Sequence, residues 1–352
     1  AAISTEMRLF LRNWDYSMAT TTEARTQIDE LRDRFEAEVE RFELGVDLLR
    51  SNHNLARAFE LANETFASAR GPASRWRLFQ LTFIITELGA LAGRDHPDDP
   101  RLRAELDAVD VLWFPTGGGK TEAYLGLIAV ALFYDRLRGK ERGITAWLLF
   151  PLRMLSVQQL ARLSHVIYHA ELVRAAAGVG GDPFALGYFV GSGNTPNRLA
   201  YPERNGWWPG LSAFAGWSES ERDRRRLVGD CPACGVGDRV GLDCDLTDQR
   251  LLHVCRACGF VLPIYASDDE VTRYQPAVVV STVDKICAFA RNGQLTAINH
   301  GPRARCPQHG WYTHGGCIAK DCTTDRTTHT GPVGFRDPTP ALWIQDELHL
   351  VR

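Results

Sequence analysis

No apolar run in this sequence approaches the roughly 18 residues a helix needs to cross a bilayer. The longest candidate, Leu125 to Tyr134, reads as a buried helix, so no membrane partner is expected. The opening Ala1-Ala2-Ile3 lacks a charged segment followed by an apolar one, and therefore does not read as a secretory signal. The expected location is the cytoplasm. Excess positive charge is missing too: 40 Lys and Arg stand against 43 Asp and Glu, for a formal net charge of −3. A protein that coats nucleic acid is usually strongly basic, so any nucleic-acid contact here has to be a local groove. No internal repeat is evident. What is present is a set of nine cysteines, eight of which fall between Cys231 and Cys258 or between Cys306 and Cys322. Clustering of this kind without a secretion signal favours zinc thiolates over disulfides.

The apolar content is sufficient for a sizeable core, and a length of 352 residues suggests about two domains. In the N-terminal region the apolar positions Ile28, Leu31, Phe35, Val39 and Phe42 recur every three or four residues, as on one buried helix face. A second helix is expected from Leu55 to Ala67, ended by Gly71-Pro72. These helices read as a structural layer, either a small domain or an arm on the core. From about residue 76, strands alternate with helices. The expected strands are Val109 to Phe114, Ile144 to Phe150, Ala277 to Ser281 and Ala341 to Gln345. Such alternation argues for an α/β fold with a parallel sheet covered on both faces. Two stretches rich in Cys, Gly, Trp and Arg interrupt it and read as insertions. The expected division is a helical region 1–75, a core in three parts (76–199, 270–299 and 331–352), and insertions at 200–269 and 300–330.

Phe114-Pro115-Thr116-Gly117-Gly118-Gly119-Lys120-Thr121 lies between an expected strand and a helix from Glu122 to Leu137. Glycines let a backbone turn its N–H groups onto phosphate oxygens, and the helix N-terminus adds partial positive charge there. Lys120 can reach the β- and γ-phosphates of ATP, and the Thr121 hydroxyl can hold Mg²⁺. Thr116, Gly117, Gly118 and Gly119 complete the cradle. The general phosphate-loop pattern has Gly where Phe114 stands; the Pro-Thr-Gly-x-Gly-Lys-Thr form instead resembles superfamily 2 helicases. Near the other end, Leu342-Trp343-Ile344-Gln345-Asp346-Glu347-Leu348-His349 is an apolar strand that runs into paired acids. Asp346 suits the Mg²⁺, and Glu347 suits orienting and deprotonating the attacking water. The Asp-Glu-x-His form resembles the DExH variant of that superfamily, in which His349 would couple the ATP site to the nucleic-acid side.

Between these motifs, Phe150-Pro151-Leu152-Arg153-Met154-Leu155-Ser156-Val157-Gln158 resembles helicase motif Ia, which contacts the nucleic-acid backbone. Leu152 replaces its usual Thr, while Arg153 and Gln158 remain. Ser281-Thr282-Val283-Asp284-Lys285 resembles motif Ic, where the Thr282 hydroxyl and a helix N-terminus can bind a phosphate. Gly191-Ser192-Gly193 fits motif Ib, although Gly-Ser-Gly occurs in any loop. Upstream, Arg77-Leu78-Phe79-Gln80 resembles the adenine-reading motif: the Gln80 amide offers a donor and an acceptor, and Phe79 packs beside the ring.

Cys231-x₂-Cys234 and Cys255-x₂-Cys258, each followed by Gly, form a C-x₂-C-x₂₀-C-x₂-C pattern that places four thiolates around a structural Zn²⁺. Cys244 between them is a bystander or a substitute ligand. Cys306, His309, Cys317 and Cys322 form a second, less regular candidate set, with His314 competing for the place of His309. Cys287 reads as a core residue. Trp207, Trp208, Trp217, Arg222 and Arg224 to Arg226 suit either stacking on nucleic acid or a charged face beside a small core.

In sum of motifs, the chain resembles the helicase component of DISARM, a bacterial anti-phage system, over about residues 50 to 352. The likeness is carried by Leu55 to Asn63, Phe79-Gln80, Gly117 to Tyr124, the zinc ribbon, Thr282 to Lys285 and Ile344 to Leu350. It implies a RecA-like first lobe, ATP hydrolysis coupled to DNA that is single-stranded or carries a single-stranded overhang, and a DrmB-like partner without a motor. Motifs III to VI do not follow Arg352, so this segment alone is expected to bind ATP weakly and hydrolyse it poorly. Two rival readings are a nucleotide-dependent loading scaffold or switch that never separates strands, and a P-loop enzyme acting on a small molecule.

Overall fold

The computed structural model describes residues 2–17, 19–113, 117–191, 193, 195–289, 296–313, 317, 319, 322, 324, 330–331 and 334–350, with backbone alone at 287–289, 296–297 and 349. Two compact units divide the chain, one taking in residues 1–60 and 74–130, the other 61–73 and 131–352. In chain order the helices are α1 (Ala2–Arg12), α2 (Thr22–Ser51), α3 (His53–Arg70), α4 (Leu78–Thr86), α5 (Leu88–Gly93), α6 (Pro100–Leu106), α7 (Lys120–Leu137), α8 (Arg153–Ala176), α9 (Leu211–Ala215), α10 (Glu219–Asp223), α11 (Asp268–Tyr274), α12 (Val283–Phe289) and α13 (Thr296–His300). The strands are β1 (Ala146–Phe150), β2 (Leu186–Phe189), β3 (Val240–Asp245), β4 (Arg250–Cys255), β5 (Val261–Leu262), β6 (Ile264–Tyr265), β7 (Val278–Thr282), β8 (Ala304–Cys306), β9 (Gly310–Tyr312) and β10 (Leu342–Gln345).

The first unit is helical. Thr21 caps α2 by accepting from the Ala24 N–H at 3.1 Å. The apolar stripe on α2 is fully buried at Val39 and Phe42; Phe35 is half-buried against the Phe10 and Trp14 rings, and Leu31 is 56% exposed. Arg41 from the same helix gathers a set of carboxylates. Its Nε donates to Glu105 at 2.8 Å, and its Nη1 and Nη2 donate to Asp110 at 2.5 and 3.0 Å. Glu87 stands 3.9 Å from the same guanidinium. With Glu38 also 3.3 Å away, one cation cannot neutralise four acids, so burial and the Asp110 charge outweigh Arg41 and push the Glu87 carboxyl from 4.5 up to about 8. The folded value lies above the unfolded one. The stability this group contributes is therefore fully present below pH 4.5 and is lost as pH rises through 8. Glu87→Gln keeps the uncharged shape, so it is expected to raise the melting temperature at pH 9 but not at pH 5. Equal shifts at both pH values would contradict a protonated Glu87.

The sequence suggests a strand over Val109 to Phe114, and this expectation is not met. Residues 109–113 are irregular, with Val109 91% and Trp113 85% exposed. A strand needs a neighbour to take up its N–H and C=O groups, and the described residues of the first unit contain no strand.

The second unit holds a five-stranded sheet in the order β10-β1-β7-β2-β6, parallel throughout. The expected strands at 144–150, 277–281 and 341–345 are its β1, β7 and β10. Strands β2 and β6 were not foreseen; they are short and carry little alternation to mark them. Trp147, Phe189 and Val279 point to one face, where Val271 of α11 and Ile298 of α13 cover them. On the other face the Tyr188 hydroxyl meets Ser156 of α8 at 2.8 Å. Both faces are therefore covered, as an α/β parallel sheet requires. The RecA-like α/β class with an N-terminal helical region and inserted Cys modules is borne out. The apolar run from Leu125 to Tyr134 is buried within α7 as expected.

At the end of α7, a buried polar network centred on Asp135 fixes the approach to β10. Asp135 accepts from Arg138 at 2.8 Å and from the Thr145 hydroxyl at 2.7 Å, and lies 3.3 Å from Lys140. Arg138 also reaches Asp337 at 3.0 Å, and Lys140 donates to the Thr339 carbonyl at 3.2 Å.

Candidate nucleotide and nucleic-acid elements and two candidate metal centres

The phosphate-loop residues belong to the first unit. Thr116 lies outside the described residues, as do Phe114 and Pro115. Gly117 and Gly119 have φ of +78° and +94°, so the loop uses conformations that suit glycine. Lys120 and Thr121 open the 18-residue α7, whose first N–H groups have no partner within the helix. Two upstream side chains brace this turn. Arg77 Nη1 donates to the Gly118 carbonyl at 2.6 Å, and Gln80 Nε2 donates to the Gly119 carbonyl at 2.9 Å. Gln80 Oε1 accepts from the Arg77 N–H at 2.9 Å. Both ends of the Gln80 amide are thus engaged with protein, and Phe79 beside it is half-buried.

The remaining motifs belong to the second unit, at the carboxyl ends of its parallel strands. Leu149 is in register with Gln345 and with Ser281, and Ser281 with Phe189, so four strand ends are level. From β10 the chain passes to Asp346 and Glu347. The Glu347 N–H donates to Asp346 Oδ1 at 2.9 Å, and Glu347 has a φ of +51°, a left-handed conformation costly for a non-glycine. The His349 side chain lies outside the described residues. From β1 the chain enters α8 through Arg153, which is exposed along with Gln158. A Cβ added at Gly191 would come 2.7 Å from Arg153 Nη2, and one at Gly193 3.2 Å from its Nη1. Motif Ia and the Gly191–Gly193 loop after β2 are therefore in contact, and side chains on those glycines would displace the guanidinium. Ser192 between them lies outside the described residues.

Thr282 ends β7 and is buried. Lys285, one turn on, is fully engaged inside the fold. Its Nζ donates to Asp268 at 2.7 Å and to Asn197 Oδ1 at 3.0 Å, and sits 4.7 Å from the centre of the Phe189 ring. The acids that open α11 escaped the sequence reading. Asp268 takes Lys285, Asp269 accepts from the Leu199 N–H at 3.0 Å, and Glu270 accepts from the Leu251 N–H at 3.0 Å. Burial raises all three carboxyls, to about 7, 6 and 7. Ser267 followed by three acids signals a helix start, not the long-range contacts these acids make.

The Cys231, Cys234, Cys255 and Cys258 sulfurs lie within 4.8 Å of one another, with Cys231–Cys258 and Cys234–Cys255 both at 3.8 Å. Four thiolates about 2.3 Å from a tetrahedral Zn²⁺ stand about 3.8 Å apart, whereas a disulfide needs about 2.05 Å. The donors fit zinc. Gly235 and Gly259 after the two pairs have φ of +69° and +74°, as the tight knuckles require. Cys244 is a bystander, packed beside the core formed by Trp208, Leu242 and Leu251.

Cys306, His309, Cys317 and Cys322 form the second group within 4.8 Å. Cys306 Sγ is 3.7 Å from Cys322 Sγ and 3.6 Å from His309 Nδ1. A tetrahedral Zn²⁺ with one sulfur and one imidazole ligand separates those atoms by about 3.5 Å, so this set fits as well. His314 lies outside the described residues, as does the side chain of Cys287. Trp208 is buried, and the Arg225 guanidinium sits 4.9 and 4.5 Å from the Trp207 and Trp217 ring centres. Arg222 pairs with Asp243 at 2.6 Å. These aromatic and basic residues therefore form a small core with an ion-paired surface.

No family model matches the chain. The sequence is, however, 32% identical over 297 residues to the DISARM protein DrmA of Bacillus paralicheniformis, a match that takes in 78% of this chain. This segment is homologous to DrmA. The resemblance read from the order of motifs is borne out for that protein. The match spans only 25% of the length of DrmA, so the chain corresponds to a quarter of it. No helix among the described residues is long and apolar enough to cross a membrane.

Proposed function

We propose that this chain is the ATP-binding portion of a superfamily 2 DNA motor acting in DISARM anti-phage defence. One observation carries the reading: the carboxyl edge of a single parallel sheet bears paired acids after β10, an exposed arginine braced on a glycine loop after β1 and β2, and a threonine at the end of β7. Ligands of α/β sheets bind at that edge. In this reading Lys120 neutralises the β- and γ-phosphates, and Thr121 and Asp346 hold Mg²⁺, which supplies charge neutralisation when bound. Glu347 accepts a proton from the water that attacks the γ-phosphorus, and the β–γ bridging oxygen leaves with ADP. Arg153, Gln158 and Thr282 contact the phosphodiester backbone of single-stranded DNA, and His349 links the two sites. Phe79 and Gln80 border the adenine; since the Gln80 amide already braces the loop, its part there is to hold Gly119 in place. Zn²⁺ at both Cys/His groups is structural, because four protein ligands leave no open position. The intact protein works with a DrmB-like partner in the cytoplasm. The intact Lys120, Asp346 and Glu347 favour hydrolysis over a nucleotide-dependent scaffold.

The test is the ATPase rate of the intact protein with and without single-stranded DNA. DNA is expected to stimulate the rate. Lys120→Ala and Glu347→Gln are each expected to lower it by about 100-fold or more, with ATP binding retained only in the second. Parental rates in both variants would remove the proposal.

A further inference from the structure

The two Cys/His groups meet the two ends of one hairpin. Strands β3 and β4 pair from Val240↔Cys255 to Asp245↔Arg250. The Cys255 end carries the first group, and the turn at the far end, about 17 Å away along the strands, lies against the second. His309, whose Nδ1 faces Cys306, follows Gln308, and Gln308 Nε2 donates to the Thr247 carbonyl of that turn at 3.5 Å. Arg273 of α11, 1% exposed, pins the same junction. Its Nε donates to the His309 carbonyl at 2.6 Å, its Nη1 to the Gln249 carbonyl at 2.8 Å and its Nη2 to the Asp248 carbonyl at 2.5 Å. Gly310 allows this approach, since a Cβ there would lie 2.6 Å from the Arg273 carbonyl oxygen.

A metal-binding histidine is oriented by the group its other ring nitrogen touches, and losing such a partner typically costs 10–100-fold in metal affinity. His309 of the second group is thus tied, through Arg273, to a turn that belongs to the module of the first. The first group has no such debt. Its knuckles are closed by hydrogen bonds within 229–260, such as Gly235 N–H to Cys231 O at 3.0 Å and Gly259 N–H to Cys255 O at 2.9 Å.

We infer that the second metal centre is built on the first, with Arg273 as the positioning residue that joins them, and that the dependence runs one way. The inference rests on zinc at both centres. In the full-length protein, zinc content is measured first, then its release to a chromophoric chelator, with cysteine alkylation and mass spectrometry locating each released ion. Fewer than two zinc ions in the parent would remove the reading of the centres, and the inference with it. With two present, Arg273→Met is expected to release zinc at least about 10-fold faster from Cys306, Cys317 and Cys322, leaving the four-cysteine centre at the parental rate. Arg273→Lys, which can still reach one carbonyl, is expected to fall between. Cys234→Ser is expected to loosen the second centre, whereas Cys322→Ser leaves Cys231, Cys234, Cys255 and Cys258 protected. Parental release from both Arg273 variants, an unchanged second centre in Cys234→Ser, or a loosened first centre in Cys322→Ser would each overturn the inference.

Discussion

Stripping the zinc proposed at Cys231, Cys234, Cys255 and Cys258 with a strong chelator at neutral pH is expected to unfold residues 229–262. That module is small. Its three-stranded sheet includes β5, only two residues long, and its ligand knuckles are held by a few backbone hydrogen bonds. Structural zinc supplies roughly 10–16 kcal/mol in isolated zinc-finger peptides, as much as the whole stability of many domains, about 5–15 kcal/mol. Four sulfurs brought within 4.8 Å of one another also lose their reason to stay together once the cation is gone. The consequence spreads to the neighbouring core, because Leu242 of β3 and Leu251 of β4 pack with Trp208 and Phe214. Tryptophan emission is therefore expected to shift to the red on metal loss, with new protease cleavage inside 229–262, and both changes are expected to reverse on adding zinc back. Unaltered emission and cleavage after confirmed metal loss would show that the hairpin stands by itself.

Asp135→Ala is expected to be the most destabilising single substitution away from the cysteines. Burial works against the Asp135 carboxylate, but Lys140, Arg138 and the Thr145 hydroxyl outweigh it and hold its pKa below the usual range. Its removal leaves the Arg138 and Lys140 side chains, 2% and 0% exposed, without their shared anion. Breaking a buried pair by deleting one partner costs about 3–5 kcal/mol, on the order of 10 °C in melting temperature for a unit of this size. Asp135→Asn keeps the Thr145 contact and still loses the charge, so it should recover only part of the loss. A thermal melt within about 2 °C of the parent for both variants would mean that Asp337 and the backbone carbonyls satisfy the two cations without Asp135.

Motifs whose chemistry depends on local spacing were legible in the sequence. The two Cys-x₂-Cys knuckles, the glycines that follow them and the loop before α7 are examples, because each spans a few consecutive residues. The strands β1, β7 and β10 were legible as apolar runs. The segment 109–113 differs from its expected strand because β-propensity describes a residue's fit to a sheet and does not supply the neighbour. Gln80 shows a different limit. A glutamine near a phosphate loop suits an adenine edge, and it suits a backbone carbonyl equally well; only coordinates show Gly119 taking the donor. Arg225 illustrates the same ambiguity, since tryptophans that could stack on bases stack on it instead. Asp268, Asp269, Glu270 and Arg273 act across 17 to 70 positions of sequence, and no periodicity encodes such reach.

Strand β10 pairs with β1 on one side and has no strand on the other among the described residues, and Trp343 on it is 46% exposed. A partly apolar sheet border of that kind is a template on which a second molecule can add its own backbone. Self-association of this segment at high concentration is therefore an expected result, checked by light scattering over a dilution series.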